Sequence, residues 1–182
     1  MADKQNRLQT ATLAGGCFWC IEGAFNSVNG IVSAKSGYMG GHSQEPSYKE
    51  VCTGQSGHAE VVQLEFDDKV ISYREILEIF FSLHNPTQLN RQGNDIGSQY
   101  RSEIFTHQQS QQDLATAIID EMTQAQIFDE PIVTRISSAE KFYCGEDYHQ
   151  EYFQKNPENQ YCQAVVSPKL AKFRQTFVAK LK

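Results

Sequence analysis

The chain has 182 residues, 40% of them hydrophobic and 21% charged, the length and apolar share of one domain able to bury a core. Sixteen Lys and Arg against 22 Asp and Glu leave a formal charge of -6, which favours solubility and argues against nucleic acid as the main partner. No run approaches the roughly 20 apolar residues of a membrane-spanning helix, and aromatics at 11% argue against disorder. Met1 to Arg7 is polar and lacks the apolar stretch of a secretion signal, so a cytoplasmic setting is expected. No repeat, low-complexity tract or linker divides the sequence. A single domain over residues 1–182 is expected, opening with a polar arm at residues 1–8.

Leu8 to Ala14 is the first strand candidate, and Gly15-Gly16 ends it. A helix is expected from about Phe18 to Val28, stopped by Asn29-Gly30. Ile31 to Gly37 reads as a second strand, followed by a loop from Gly37 to His42 that looks too glycine-rich for regular structure. Ala59 to Phe66 partly alternates and is rich in β-formers. Ser72 suits the N-cap of a helix whose Tyr73, Ile76, Leu77 and Phe80 recur at helical spacing, and His84-Asn85-Pro86 ends it. Residues 87–98 read as a loop and Gln99 to Thr106 as a strand. A helix from Gln108 to Ala125 centres on Leu114, Ile118 and Met122, a strand runs from Ile132 to Ile136, and a short helix spans about Asp147 to Gln154. Ser167 is the expected N-cap of the last helix, with Pro168 in its first turn and a stripe of Leu170, Phe173, Phe177 and Leu181. Interspersed strands and helices of this kind predict an α/β (α+β) two-layer sandwich, helices packed on a central mixed β-sheet.

Five cysteines stand at 17, 20, 52, 144 and 162. An odd number without a secretion signal argues against a purely structural disulfide framework. In Gly15-Gly16-Cys17-Phe18-Trp19-Cys20-Ile21-Glu22 the glycines allow a tight turn after a strand, and Cys17 falls at the start of a helix. Unpaired N–H groups there carry partial positive charge and are expected to lower the thiol's pKa. Phe18 and Trp19, the only tryptophan, offer an apolar wall for a small substrate group. Three readings stay open at this point: a nucleophile, a buried small residue, or half of a zinc site completed by Cys144, His149 or Cys162. A thioredoxin fold is excluded, because only about 16 residues precede Cys17 and the βαβ unit that should come first does not fit.

Further motifs follow in order: Gly37-Tyr38-Met39-Gly40-Gly41, Tyr48-Lys49-Glu50-Val51-Cys52-Thr53-Gly54, Gly57-His58-Ala59-Glu60-Val61-Val62, His84-Asn85-Pro86-Thr87, Gly93 to Ser102, and Glu146-Asp147-Tyr148-His149-Gln150. Together with Gly16-Cys17-Phe18-Trp19 the set resembles the A-type peptide methionine sulfoxide reductases over most of the chain. The resemblance implies a ferredoxin-like two-layer sandwich and reduction of methionine-S-sulfoxide, free or in oxidised proteins, to methionine, a protein-repair activity under oxidative stress. It implies Cys17 as nucleophile, Glu60 as acid, Tyr48 and Tyr100 as hydroxyl donors, Phe18 and Trp19 as the methyl pocket, and Asp95 as a polar lining residue. It also implies thioredoxin as reductant, with no metal and no organic cofactor. A monomer is expected.

The chemistry asks for these types. A thiolate can attack a sulfoxide sulfur when the oxygen is stabilised or protonated. Glu60 can do this only with a raised pKa, which its apolar neighbours Ala59, Val61 and Val62 favour. Turnover needs a second thiol to attack the resulting sulfenic acid. Cys20 lies one helical turn from Cys17 on the same face. Cys162 resembles the C-terminal resolving cysteine of family members. Many members carry Gly where this chain has Cys20, and end in a glycine-rich cysteine tail that is absent here. Cys20 is expected to resolve first, with Cys162 close behind or second in a relay. Cys52 is expected to be structural, His149 to stand behind the site, and Cys144 has no clear role. Two rivals make opposite demands. A general C-x-x-C exchanger has no use for Glu60 or the tyrosines, and a zinc-stabilised binding module needs further ligands.

Overall fold

The computed structural model describes residues 8–182, so the expected polar arm lies outside them apart from Leu8, which opens the first strand. In chain order the elements are β1 (Leu8–Gly15), α1 (Phe18–Phe25), β2 (Ile31–Met39), α2 (Tyr48–Cys52), β3 (Ala59–Asp67), α3 (Tyr73–Leu83), β4 (Arg91–Gln92) and β5 (Asp95–Ile96). There follow β6 (Ser102–Thr106), α4 (Gln109–Gln124), β7 (Arg135–Ser138), β8 (Tyr143–Cys144), α5 (Tyr152–Lys155) and α6 (Ser167–Thr176). Six strands form one sheet in the order β7-β6-β1-β3-β2-β8, and β4 pairs with β5 as a separate two-stranded ribbon. β6 and β7 run parallel, and the other neighbours in the main sheet are antiparallel. The inner four strands, β6-β1-β3-β2, with α1 after β1 and α3 after β3, make the split β-α-β repeat of a ferredoxin-like sandwich, as expected.

Strand alternation divides the apolar residues between two faces. Ala11, Leu13, Val62, Leu64, Phe66 and Ile104 belong to the main core with α1, α3 and α4, while Ala14, Met39, Ala59, Val61 and Phe105 form a smaller cluster under Ala139 and Phe142. α3 shows why its sequence folds locally. The Ser72 hydroxyl accepts from the Glu75 N–H and the Glu75 carboxylate accepts from the Ser72 N–H, a closed capping box. Beyond that cap, Ile76, Leu77, Ile79 and Phe80 are fully buried.

Several boundaries differ from expectation. α1 stops at Phe25 because Ser27 and Val28 turn tightly onto the carbonyls of Ala24 and Phe25, and Val28 is drawn into a bridge with Leu181. Gly37 to Met39 is not loop but the end of β2, paired with β3 on one side, where Tyr38 faces Glu60, and with β8 on the other. Gly37 serves close packing: a Cβ there would meet the Phe142 ring at 2.4 Å. Residues 87–98 contain the β4–β5 ribbon, and β6 starts only at Ser102 because Ser98–Tyr100 form a 3-10 turn. β7 lies at Arg135–Ser138 rather than Ile132–Ile136, following its parallel partner β6. The expected helix over residues 147–154 divides into a 3-10 turn, Asp147–His149, and α5, with Glu151 between them in the left-handed region at φ 54°. Ser167 does not cap α6. The chain is already helical through a wide π turn, Cys162–Val166, so Ser167 sits inside a continuous run. The helical stripe therefore ends at Phe173 and half-buried Phe177, and Leu181, beyond the helix, packs on the core from an antiparallel bridge opposite Val28. The Asn29 N–H donates to the Lys180 carbonyl at 2.8 Å and the Lys182 N–H to the Ser27 carbonyl at 2.9 Å, fastening the C-terminal segment to the end of α1. No helix among the described residues is long and apolar enough to cross a membrane.

Candidate active site

Cys17 is the N-cap of α1, extended at φ -62° and ψ 125°, with no cap bond from its own side chain. The unpaired N–H groups of the first helical turn are divided between two acidic groups. The Trp19 N–H is directed at the Cys17 sulfur and the Phe18 N–H at the Glu60 carboxylate. The expected fall in the Cys17 pKa is not found. Burial pushes the thiol up, the hydrogen bond shared with the Cys20 thiol and the Glu60 charge push the same way, and the Trp19 N–H alone opposes them. The shared bond acts oppositely on its acceptor, and the Cys20 thiol is drawn down by it and by the Lys169 ammonium. The two thiols of the C-x-x-C pair thus shift one another in opposite directions.

Glu60 is 2% exposed on β3, one register step from fully buried Ala59 and Val61. Burial pushes its carboxyl well above the ordinary range, Asp95 and Cys20 adding to the shift and the Phe18 N–H opposing it. Burial thus favours its protonated, uncharged form. Its second oxygen, Oε2, has no hydrogen-bond partner among the described residues. Tyr48 opens α2, whose N-cap Ser47 accepts from the Glu50 N–H. Tyr100 comes from the 98–100 turn. That turn depends on Gly97 at φ 140°, where a Cβ would lie 2.2 Å from the Gln99 Oε1 atom. Burial raises both phenols above their usual range, and the nearby Glu60 carboxyl is the second cause for each. Arg101 locks the arrangement. Its guanidinium donates to the Ser98 and Gly57 carbonyls at 2.9 and 3.1 Å and to Glu103 at 2.6 Å, joining the Tyr100 turn to the segment that enters β3.

Phe18 is buried with its ring 6.3 Å from Tyr48 and 5.2 Å from His149. Trp19 is half-buried beside it, stacked on Tyr152 at 3.8 Å and 6°, with Tyr161 at its edge. The indole N–H donates to His149 Nδ1 at 3.1 Å, which fixes the remaining proton of the neutral imidazole on Nε2. Burial keeps that histidine below its ordinary pKa. Asp95, on β5, accepts from the Tyr161 hydroxyl at 2.5 Å. Tyr161 was not foreseen. Its hydroxyl is raised by burial and next by Cys17, so a further phenol borders the thiol. Glu146 was missed as well; it accepts from Tyr38 and Tyr148 hydroxyls and from the Tyr48 N–H, and so supports Tyr48 from behind. The one available signal was Tyr161 standing next to Cys162.

All nine expected site residues converge on this end of the sheet except that Cys162 is reached through Cys20. Cys20 and Cys162 are buried in the same core cluster, and the Cys20 charge raises the Cys162 thiol after burial does. Cys52, expected to be structural, is exposed at the end of α2, near enough to Tyr48 to add to the rise of that phenol, so it abuts the site. Cys144 is exposed on edge strand β8. No three His, Cys, Asp or Glu side chains are grouped as metal ligands among the described residues.

A cysteine at a helix N-terminus, a second one helical turn on, and a buried carboxyl with two phenols nearby make up the set that a thiol-dependent reductase of a polarised oxygen acceptor needs. A family model described as peptide methionine sulfoxide reductase matches residues 9–181. A peptide methionine sulfoxide reductase MsrA of Polynucleobacter asymbioticus is 55% identical over 93% of this chain and 90% of its own. Among solved structures, reduced Mxr1 of Saccharomyces cerevisiae superposes with a TM-score of 0.78 at 38% identity, covering 86% of this chain and 90% of that one. Mxr1 solved in complex with Trx2 gives a TM-score of 0.55 at 28% identity, over 81% and 86%. The chain belongs to the peptide methionine sulfoxide reductase family. It is an oxidoreductase that returns methionine sulfoxide to methionine.

Proposed function

We propose that this enzyme reduces the S epimer of methionine sulfoxide, in oxidised proteins and as the free amino acid, by attack of the Cys17 sulfur on the substrate sulfur. The observation that carries this reading is Glu60: a buried carboxyl pushed toward its protonated form, with one oxygen unpartnered, beside the thiol. Neutral Glu60 donates a hydrogen bond to the sulfoxide oxygen, and removing its charge removes the like charge that otherwise opposes a Cys17 thiolate. The Tyr48 and Tyr100 hydroxyls add donors without adding charge. Phe18 and Trp19 receive the S-methyl group, and Asp95 with Tyr161 borders the opposite side.

As the new S–S interaction forms and the S–O bond is transferred, Glu60 supplies the proton to oxygen and the Cys17 thiol proton restores it. The products are methionine and a Cys17 sulfenic acid. The Cys20 thiol then displaces hydroxide from that sulfur, which leaves as water, and a Cys17–Cys20 disulfide forms. Cys162 exchanges onto Cys20 as the second member of a relay. A dithiol protein of the thioredoxin class opens the final disulfide, becoming oxidised in turn. The neighbouring structure described as Mxr1 with Trx2 supports that donor. Reliance on a dithiol supply, with all five cysteines present as thiols, suits a reducing cytoplasm and a monomeric repair enzyme acting under oxidative stress.

The test is chiral chromatography of racemic N-acetyl-methionine sulfoxide after incubation with the protein and a dithiol. Disappearance of the S epimer alone is expected; consumption of both epimers, or of the R epimer, overturns the pocket assignment.

A further inference from the structure

Glu22 is a carboxylate only 1% exposed, on α1 one turn beyond Trp19, and nothing in the chemistry above uses it. Its Oε1 accepts the Glu151 N–H at 2.9 Å. Glu151 is left-handed, φ 54° and ψ 34°, a conformation that a residue with a Cβ holds only when its surroundings enforce it. On either side of that residue the chain grips Trp19. His149 accepts the indole N–H at 3.1 Å, and Tyr152 lies flat on the indole at 3.8 Å. Residues 149–152 are thus a clip closed on Trp19, and its strained middle is anchored from underneath by the helix that carries Trp19. Burial lifts the Glu22 carboxyl to about 7, with the Glu151 carboxylate adding to the rise and Lys155 opposing it, the mark of a group kept in place at an electrostatic cost.

We propose that Glu22 is a positioning residue for substrate: by holding the Glu151 N–H it keeps His149 and Tyr152 on Trp19, so that the indole presents a fixed wall to the methyl group bonded to sulfur. This rests on the reading of Phe18 and Trp19 as the methyl pocket. The wall sets how the sulfoxide is held rather than how its bond breaks, so its loss falls on KM more than on kcat.

Trp19 is the only tryptophan, so its emission reports the clip without any turnover. Glu22→Leu removes the acceptor, Glu22→Asp withdraws it while keeping the charge, and Glu22→Gln keeps an acceptor of the same reach. In Glu22→Leu and Glu22→Asp, acrylamide quenching of Trp19 is expected to rise about twofold and KM for N-acetyl-methionine sulfoxide about tenfold, with kcat within about threefold of wild type. Glu22→Gln is expected to recover most of both. Tyr152→Leu should reproduce the KM change with Glu22 intact, and the double variant with Glu22→Asp should add little to it. Unchanged quenching and KM in Glu22→Asp, or a loss confined to kcat, overturns the proposal. The functional reading fails separately, when wild-type protein reduces no sulfoxide. The quenching experiment still judges the clip in that case.

Discussion

Cys17 and Glu60 carry opposite burdens from the same burial. Both are pushed toward their neutral forms, which handicaps a nucleophile and equips an acid. Cys17→Ser is expected to abolish methionine formation, measured by chromatography of the product, since a hydroxyl cannot take up the oxygen. Glu60→Ala removes the donor on the developing charge and is expected to cost about 3–4 kcal/mol, a fall of about two to three orders of magnitude in kcat. With Glu60 in the proposed role of protonated acid, activity should hold through neutral pH and fall as pH rises through its elevated pKa. A kcat that instead climbs with pH over that range contradicts the acid assignment. Glu22 gives a stability signal with the same sign. Its folded carboxyl, near 7 against 4.5, binds its proton more tightly than the unfolded chain does. The stability linked to it is full below about 4.5 and is lost as pH rises through about 7, up to about 3 kcal/mol for this burial. Urea unfolding of Glu22→Gln at either end of that window should show the slope reduced by that amount.

The elements that place these groups depend on short local devices. The Ser72–Glu75 capping box closes α3, so Ser72→Ala should lower stability by about 1 kcal/mol and the melting temperature by about 2–4 °C, read by calorimetry, with little change in activity. Devices of this kind are what a sequence displays openly. Ser72, the Tyr73-to-Phe80 periodicity and the alternation in β1 and β3 announce the sandwich because each is written within a few residues. The boundaries that shifted did so where distant chain intervened. Gly37 reads as a loop glycine until Phe142 is packed on it, and Ser167 reads as a cap until the preceding π turn is seen to continue into it. The residues gathered at the candidate site were legible through their motifs, whereas the contacts of Glu22 and Glu146 and the Trp19–His149 bond were not. Trp19 and His149 are 130 residues apart, and no spacing rule predicts which buried polar groups meet across that separation.

For the whole molecule, the three thiols differ in depth: Cys17 is in part exposed, and Cys20 and Cys162 lie in the core it packs against. Cys162→Ser should leave the first turnover intact and slow only multiple turnovers with a protein dithiol donor. Cys20→Ser should let the sulfenic acid persist long enough to be trapped by dimedone. Absence of a trapped adduct in Cys20→Ser means that another thiol consumes the sulfenic acid and overturns Cys20 as first resolver. The fastening of Asn29 and Ser27 to Lys180 and Lys182 gives this arrangement a further property. The segment bearing Cys162 is closed at its C-terminal end onto the very helix that bears Cys17 and Cys20, so it cannot swing free as an open tail. A thiol on such a closed loop explores a small volume and keeps a high effective concentration near its target. In the proposed relay this confinement favours exchange of Cys162 onto the Cys17–Cys20 disulfide over reaction with an external thiol.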